Sequence, residues 1–155
     1  MIMPTTAMPA PPRSALYETD FYDWALRTAA LLREGRFAEL DLEHTAEEIE
    51  GLARCDSRQI ENRTVVLIAH LLKKRYQPSL ATRSWDRIIV TRRSRLQTVL
   101  QDSPSLRRML PAMVERAWEN ALKLAMVETG LDRGALPATC PFTIEEIYGA
   151  DILAL

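Results

Sequence analysis

The chain has 155 residues, of which 47% are hydrophobic and 26% charged, and its formal net charge is −1 at pH 7. This length and composition fit one globular domain that buries a core without needing disulfides. The sequence contains no run of 18 apolar residues, which excludes a membrane-spanning helix. Gly is scarce, at 5 residues, whereas Ala, Leu, Glu and Arg are plentiful, so the composition favours helices.

The first residues, MIMPTTAMPAPPRSA, are rich in proline and carry a single charge. They lack the basic start and apolar run of a secretion signal, so we expect a disordered tail at residues 1–16 and a cytoplasmic protein with one helical domain at residues 17–155. Met3 or Met8 could be the true start. Cys55 and Cys140 have no metal-binding spacing, and we interpret them as buried or half-buried thiols.

The first predicted helix begins after Thr19 or Asp20, either of which can act as its N-cap. Apolar residues then recur at 3–4 spacing from Phe21 to Leu32, which indicates one buried stripe. Gly35 ends this helix.

A second helix is predicted from about residue 41 to residue 76, with Asp41 as its cap. At about 1.5 Å per residue a continuous helix would be about 54 Å long, and a kink or break at Gly51–Ser57 is the alternative. The run Val65–Leu72 is apolar nearly all round and should be the most buried segment. The predicted apolar face contains Leu42, Thr45, Ala46, Ile49, Leu52, Ala53, Ile60, Leu67 and Leu71.

Two more long helices and a short one complete the prediction. Ser84 is expected to cap a third helix that runs to about Gln101, and Pro111 lies in the first turn of a fourth that ends before Gly130. The sequence TIEE at 143–146 is a capping box that opens a short last helix. No segment alternates with period 2, so we predict an all-α helical bundle of four main helices plus a short C-terminal helix.

The stretch LDLEHTAEEIE at residues 40–50 places one histidine among acidic side chains. On a helix, His44 would lie beside Glu47 and Glu48, as a metal site or an acid–base pair requires. A metal normally takes three or four ligands, and the chain has only 2 histidines. We therefore expect a solvated helix face, with a protein contact or a metal or acid–base role as alternatives, and we predict no metal and no cofactor.

Polar residues also interrupt the predicted apolar faces. Asp56, Arg63 and His70 are spaced by seven along the second helix, and Arg92 falls at the centre of the apolar face of the third. A buried guanidinium should find a carboxylate, so we expect an internal network or a polar dimer seam. A ligand-binding or catalytic pocket at His70 is the alternative.

Charge is spread unevenly along the chain. Residues 34–61 hold nine acidic and three basic residues, a balance of −6, whereas residues 73–108 hold ten basic and two acidic ones, a balance of +8. The basic block could track phosphates, although an acid–base contact or a solvated face is favoured over nucleic-acid binding because the pI of the sequence is about 6.1, well below that of a dedicated nucleic-acid-binding protein. The candidate anion-binding residues are Lys73, Lys74, Arg75 and Arg93.

Several stretches together resemble the bacterial family known as Domain of Unknown Function 29, over residues 17 to about 153. The family is helical and usually a stand-alone domain, and the resemblance implies no particular activity, cofactor or catalytic residue. After the tryptophan, where the family tends to read Glu-Gln-Arg, this chain has Thr91-Arg92-Arg93, so Arg92 is a departure. The stretches that carry the resemblance are YETDFYDW, LREGRFAELDLEHTAEEIEGL, LIAHLLKKRYQP, RSW, SPSLR, ETGL and CPFTIEEI.

No GxSxG, P-loop, GxGxxG or HExxH motif is present. We therefore expect a non-enzymatic interaction or regulatory protein that works through its helix faces, with a protein partner or a second copy of the chain and without a membrane. An enzyme or a small-molecule- or metal-binding protein that uses the seam around His70 is one alternative. Nucleic-acid binding through residues 73–95 is the other.

Overall fold

The computed structural model describes the backbone of residues 13–154 and the side chains of residues 15–152. The described chain contains seven α-helices and no β-strand, which confirms the predicted all-α fold. The helices are α1 (Arg13–Thr19), α2 (Phe21–Arg33), α3 (Leu42–Tyr76), α4 (Arg83–Asp102), α5 (Leu110–Thr129), α6 (Ile144–Tyr148) and α7 (Ala150–Ala154). Short 3₁₀ turns occur at Phe37–Glu39, Pro78–Leu80, Pro104–Met109 and Arg133–Ala135.

The tail predicted at residues 1–16 overlaps the described chain only in part. Residues 1–12 lie outside the described residues, and residues 13–16 belong to α1. Helix α1 was not predicted from the sequence.

The chain divides into two compact units, and the division falls within α3, between Ala53 and Arg54. We call described residues 13–53 the N-terminal unit and residues 54–154 the C-terminal unit. The first contains α1, α2 and the first part of α3, and the second contains the rest of α3 and helices α4 to α7. The expectation of one domain over residues 17–155 stays a prediction.

Helix α3 is continuous over 35 residues, so the break considered as an alternative at Gly51–Ser57 does not occur. Gly51 keeps helical backbone geometry, although glycine in a helix interior costs about 1 kcal/mol relative to alanine. The helix starts where the sequence indicates, because Asp41 Oδ1 accepts a hydrogen bond from the backbone N–H of His44 at 3.3 Å.

Most of the predicted helix ends are confirmed by their hydrogen bonds. Asp20 caps α2 by accepting from the N–H of Asp23 at 3.0 Å. Thr143 and Glu146 form the predicted capping box at the start of α6. Gly130 follows α5 with φ of +70°, a left-handed conformation that glycine adopts without steric cost.

The start of α4 corrects one prediction. Helix α4 begins at Arg83 with Thr82 at the N-cap position, so Ser84 lies inside the helix and does not cap it. The Thr82 hydroxyl makes no capping hydrogen bond and lies 2.8 Å from the hydroxyl of Ser84. The two side chains satisfy each other and leave the first N–H groups of α4 without a side-chain acceptor.

The hydrophobic core of the C-terminal unit lies around α3, as the apolar run Val65–Leu72 predicts. Leu67, Ile68 and Leu72 are fully buried, and side chains of α4, α5, α6 and α7 pack around them. Leucine, methionine and alanine at 3–4 spacing make α5 the other main contributor. The buried side chains of α5 are Leu110, Met113, Val114, Ala117, Trp118, Ala121, Leu122 and Ala125.

The N-terminal unit buries much less. Trp24 and Leu40 are its buried hydrophobic side chains, and Thr28 is also buried. Tyr17 packs edge-on against Trp24 with ring centroids 4.9 Å apart, and Phe21 lies 5.5 Å from the same indole. These aromatic contacts join α1 to α2 and form a small core.

The predicted apolar face of α3 is buried only in part. Ile60 and Leu67 lie in the core of the C-terminal unit, as predicted. Leu42, Ile49 and Leu52 were predicted to face inward, but they are 65%, 61% and 71% exposed. Helical periodicity identifies a face of a helix but does not determine how far along the helix other elements cover it.

Candidate functional site

His44, the centre of the acidic cluster, forms a local ion pair. Its Nδ1 lies 2.7 Å from Asp41 Oδ2, and because a carboxylate only accepts, Nδ1 donates the hydrogen. This hydrogen bond raises the pKa of His44 above its ordinary value. The Asp41 carboxylate thus accepts from both the backbone N–H and the imidazole of His44.

The tyrosine of α1 completes the surroundings of His44. The Tyr17 ring stacks on the imidazole with centroids 4.1 Å apart, and the Tyr17 hydroxyl donates to Glu48 Oε1 at 2.6 Å. The same hydrogen bond raises the pKa of Tyr17 to about 12. Glu47 is exposed. The contacts of Tyr17 with His44 and Glu48 join α1 to α3. No group of three or more metal-ligating side chains occurs among the described residues.

The polar seam Asp56, Arg63, His70 and Arg92 does not come together as one network. Asp56 accepts a hydrogen bond from the hydroxyl of Ser103 at 3.2 Å. His70 is buried, and its Nδ1 donates to the carbonyl oxygen of Val66 at 2.9 Å. Burial lowers the pKa of His70, so the imidazole is neutral at pH 7.

The two arginines of the seam lie in a different setting. Arg63 Nη1 donates to the carbonyl oxygen of Arg95 at 3.2 Å, which holds its guanidinium against α4. Burial lowers the pKa of Arg63, and the positive charges of Arg95 and Arg92 lower it further. The carboxylate expected for Arg92 is not found, since Arg92 has no ion pair with any carboxylate in the part of the chain that the structure describes.

The residues predicted to bind anions already have partners within the C-terminal unit. Lys73 Nζ lies 2.5 Å from Glu128 and 4.5 Å from the centre of the Trp85 ring. Lys74 forms an ion pair with Asp86. These contacts neutralise much of the charge that the KKRY stretch shows in the sequence.

The other two candidate anion-binding residues contact the loop before α6 and α6 itself. Arg75 lies 3.8 Å from the Glu146 carboxylate and donates to the carbonyl oxygen of Pro141 at 3.3 Å. Arg93 donates to the carbonyl oxygens of Ile147 and Glu146. The carbonyl groups near the end of α6 therefore receive a cation, which stabilises a helix C-terminus. Arg93 thus has a structural role that spacing did not reveal.

Two cavities are lined by described residues, and neither includes His70. The larger, of about 430 Å³, lies in the N-terminal unit beside Trp24, whose indole N–H is buried without a hydrogen-bond partner. The smaller, of about 170 Å³, lies on α4 and is lined by Arg87, Ile88, Thr91, Arg92 and Arg95. Among the residues that line the smaller cavity, sequence reasoning placed Arg92 in the polar seam, and all five fall within the segment 73–95 considered for nucleic-acid binding.

The cysteines have different environments. Cys55 is exposed, which corrects the expectation that both thiols are at least half-buried. Cys140 is half-buried, and burial raises the pKa of its thiol. A thiol with a raised pKa is a poor nucleophile near neutral pH.

The amino-acid sequence shows to which protein family this all-α chain belongs. Residues 16–153 match the model of the family described as Domain of unknown function DUF29, which covers nearly the whole chain. The chain is a member of this family, as the resemblance of the stretches named above indicated. No curated protein and no solved structure matches the chain. Among the described helices, none has the length and hydrophobicity needed to cross a membrane.

Proposed function

We propose that this protein is a non-enzymatic interaction protein, and that it acts by pairing helix α3 of its N-terminal unit with α3 of a second copy. The observation that carries the proposal is the exposed apolar stripe formed by Leu42, Ile49 and Leu52. Large side chains of this kind cost free energy in water, at roughly 25 cal/mol per Å² of apolar surface, and burying them against a partner recovers it.

The spacing of the stripe indicates what covers it. Leu42 and Ile49 are seven residues apart and Leu52 follows three later, which is the a-a-d pattern of a helix–helix seam. Ala46 and Ala53 lie beside these positions and are exposed too, and their small side chains allow another helix to approach closely. A seam on one helix is self-complementary, so a second copy of the same helix is the simplest partner.

Other exposed hydrophobic side chains are concentrated in the same unit. Most of the large hydrophobic residues that are exposed among the described residues lie before residue 54, although this unit is the smaller one. Exposed hydrophobic side chains cost free energy in a monomer, whereas an interface between proteins buries them. Besides the stripe, these residues are Phe21, Tyr22, Leu26, Leu32 and Phe37.

The test is the mass of the protein in solution, measured by native mass spectrometry and by light scattering over a range of concentrations. We expect the wild type to be a dimer at micromolar concentration and Ile49→Glu to be a monomer, since a carboxylate in the seam would have to be desolvated. Val127→Glu is the matched control, because Val127 is 82% exposed on α5 and lies outside the stripe. It should leave the dimer intact.

Ile49→Glu should leave the fold of each chain unchanged, because the side chain that it replaces is exposed in the single chain. A circular dichroism spectrum equal to that of the wild type checks this. A wild type that is monomeric at all concentrations would show that the second copy is the wrong partner. A dimer that persists in both Ile49→Glu and Leu52→Glu would show that the seam lies elsewhere.

A further inference from the structure

Four arginines of the C-terminal unit gather on one surface. Arg87, Arg92 and Arg95 line the cavity of about 170 Å³ on α4, together with Ile88 and Thr91. Their spacing along α4 places them on adjacent turns, and the cavity shows that their side chains border one space.

Arg63 brings a fourth guanidinium from α3. It is held by two hydrogen bonds, from Nη1 to the carbonyl oxygen of Arg95 and from Nη2 to Oε1 of Gln59, each 3.2 Å long. Its charge is close enough to Arg95 and Arg92 for their repulsion to lower its pKa. Helices α3 and α4 therefore hold several positive charges close together.

No carboxylate offsets these charges within the described chain. The ion pairs of the C-terminal unit involve Lys73, Lys74, Arg75 and Arg116, but none of the four arginines of the cluster. Bringing like charges together and partly burying one of them costs free energy unless an anion compensates. A bound anion would offset the repulsion among these charges.

We propose that this arginine cluster, formed by Arg63, Arg87, Arg92 and Arg95, binds the terminal phosphoryl group of a ligand. A guanidinium presents its N–H groups as a fork that matches two phosphoryl oxygens. A terminal phosphoryl group carries a charge of about −1.5 to −2 and three acceptor oxygens, more charge and one more oxygen than a carboxylate, so it suits a site with several guanidiniums. The hydroxyl of Thr91 adds a neutral donor in the same wall, and Ile88 offers an apolar surface to the rest of the ligand.

A terminal phosphoryl group differs in charge from the phosphodiesters of a nucleic-acid backbone, and the probes separate these two kinds of ligand. The full chain, dialysed against phosphate-free buffer, is titrated calorimetrically with inorganic phosphate, with pyrophosphate, and with a short single-stranded oligonucleotide that lacks terminal phosphates. Ionic strength is held constant because salt screens exposed charges. We expect saturable binding of phosphate and tighter binding of pyrophosphate.

Arg92→Gln and Arg95→Gln should each weaken pyrophosphate binding by at least about tenfold, the loss expected when one charge-assisted hydrogen bond is removed. Arg83→Gln is the matched control, because Arg83 is an exposed arginine of the same helix that does not line the cavity, and its removal changes the net charge equally. It should change the affinity by less than about twofold, as expected from weakly coupled surface charges.

The variants also have a second readout. Because the cluster is self-repelling without ligand, Arg92→Gln should not lower the thermal stability of the dialysed protein, whereas loss of a purely structural residue would. Should Arg92→Gln fail to fold, Arg87→Gln gives the same affinity test at an exposed position. Absence of saturable binding, an equal loss in Arg83→Gln, or binding of the oligonucleotide as tight as that of pyrophosphate would each overturn the proposal.

Discussion

The hydroxyl groups of Thr64 and Tyr148 lie 2.8 Å apart in the core, although 84 residues separate them in the chain. Both side chains are fully buried. Thr64 Oγ1 also lies 2.9 Å from the carbonyl oxygen of Ile60, to which it must donate its only hydrogen. Tyr148 is therefore the donor in the hydroxyl pair, and the pair joins α3 to α6.

Replacement of Tyr148 by Phe should lower the free energy of unfolding by about 1 kcal/mol, the usual net value of one buried hydrogen bond. The phenyl ring keeps the packing, so only the hydroxyl contact is lost. Chemical denaturation monitored by circular dichroism measures the change, and Tyr22→Phe, at an exposed position of α2, is the control that should have no effect. In the double variant with Thr64→Val the two losses should not add, because both changes remove the same contact. Additive losses would contradict the pairing.

The buried ion pair of Lys73 and Glu128 gives a second prediction. The Lys73 side chain is 8% exposed and the Glu128 side chain 34%, and Lys73 Nζ lies 2.5 Å from the Glu128 carboxylate and over the face of Trp85. Replacement of Glu128 by Gln leaves a buried charge with weaker compensation and should destabilise the protein by about 1–3 kcal/mol. Lys73→Met combined with Glu128→Gln should recover part of this loss, because the buried charge is then absent.

The comparison is made by equilibrium unfolding in urea at constant ionic strength. The control pair is Arg27 and Asp23 of α2, whose side chains are both well exposed, and Asp23→Asn should cost less than about 1 kcal/mol. A double variant less stable than Glu128→Gln alone would show that the ammonium group does not depend on Glu128 for compensation.

The lowered pKa of buried His70 predicts how the stability of the protein falls in acid. Burial lowers its pKa, and Lys73 and Arg92 lower it further, while the hydrogen bond to Val66 and the Glu128 charge oppose this. The unfolded chain therefore takes up the His70 proton at a higher pH than the folded chain, so unfolding binds a proton in this range. The stability contributed by neutral His70 is present above the ordinary histidine pKa of about 6.5 and is lost as the pH falls through the lower folded value.

His70→Gln should remove this part of the acid sensitivity, since glutamine can also donate to the Val66 carbonyl oxygen but does not titrate. The measurement is the melting temperature of both proteins between pH 4 and pH 8, and the difference between the two profiles removes the contributions of groups that both proteins share. His44→Gln is the control with the opposite sign, because the pKa of His44 is raised and its stabilising effect is lost as the pH rises. Parallel profiles of His70→Gln and wild type would contradict the prediction.

The sequence by itself was sufficient for helices α2 to α6 and most of their ends, but not for the short helices α1 and α7. A cap such as Asp20 or Thr143 acts within one helical turn, and an apolar run such as Val65–Leu72 needs burial whatever surrounds it, so both can be recognised without knowing the rest of the fold. Helix α1 was missed because its few residues adjoin a proline-rich stretch and carry no long apolar pattern.

Only the tertiary structure determined which side chains of those helices are buried, exposed or paired with a charge. Ile49 and Leu67 belong to the same predicted stripe, yet Ile49 is exposed and Leu67 is buried, since burial depends on which other helices reach a given turn. Charge pairing likewise depends on the tertiary structure. Lys73 and Lys74 of the KKRY stretch form ion pairs with acidic side chains, whereas Arg63 lies near Arg92 and Arg95. Helical hydrogen bonds are local and can be predicted from spacing, but packing and charge pairing join residues far apart in the chain, and they determine which surfaces stay available to a partner.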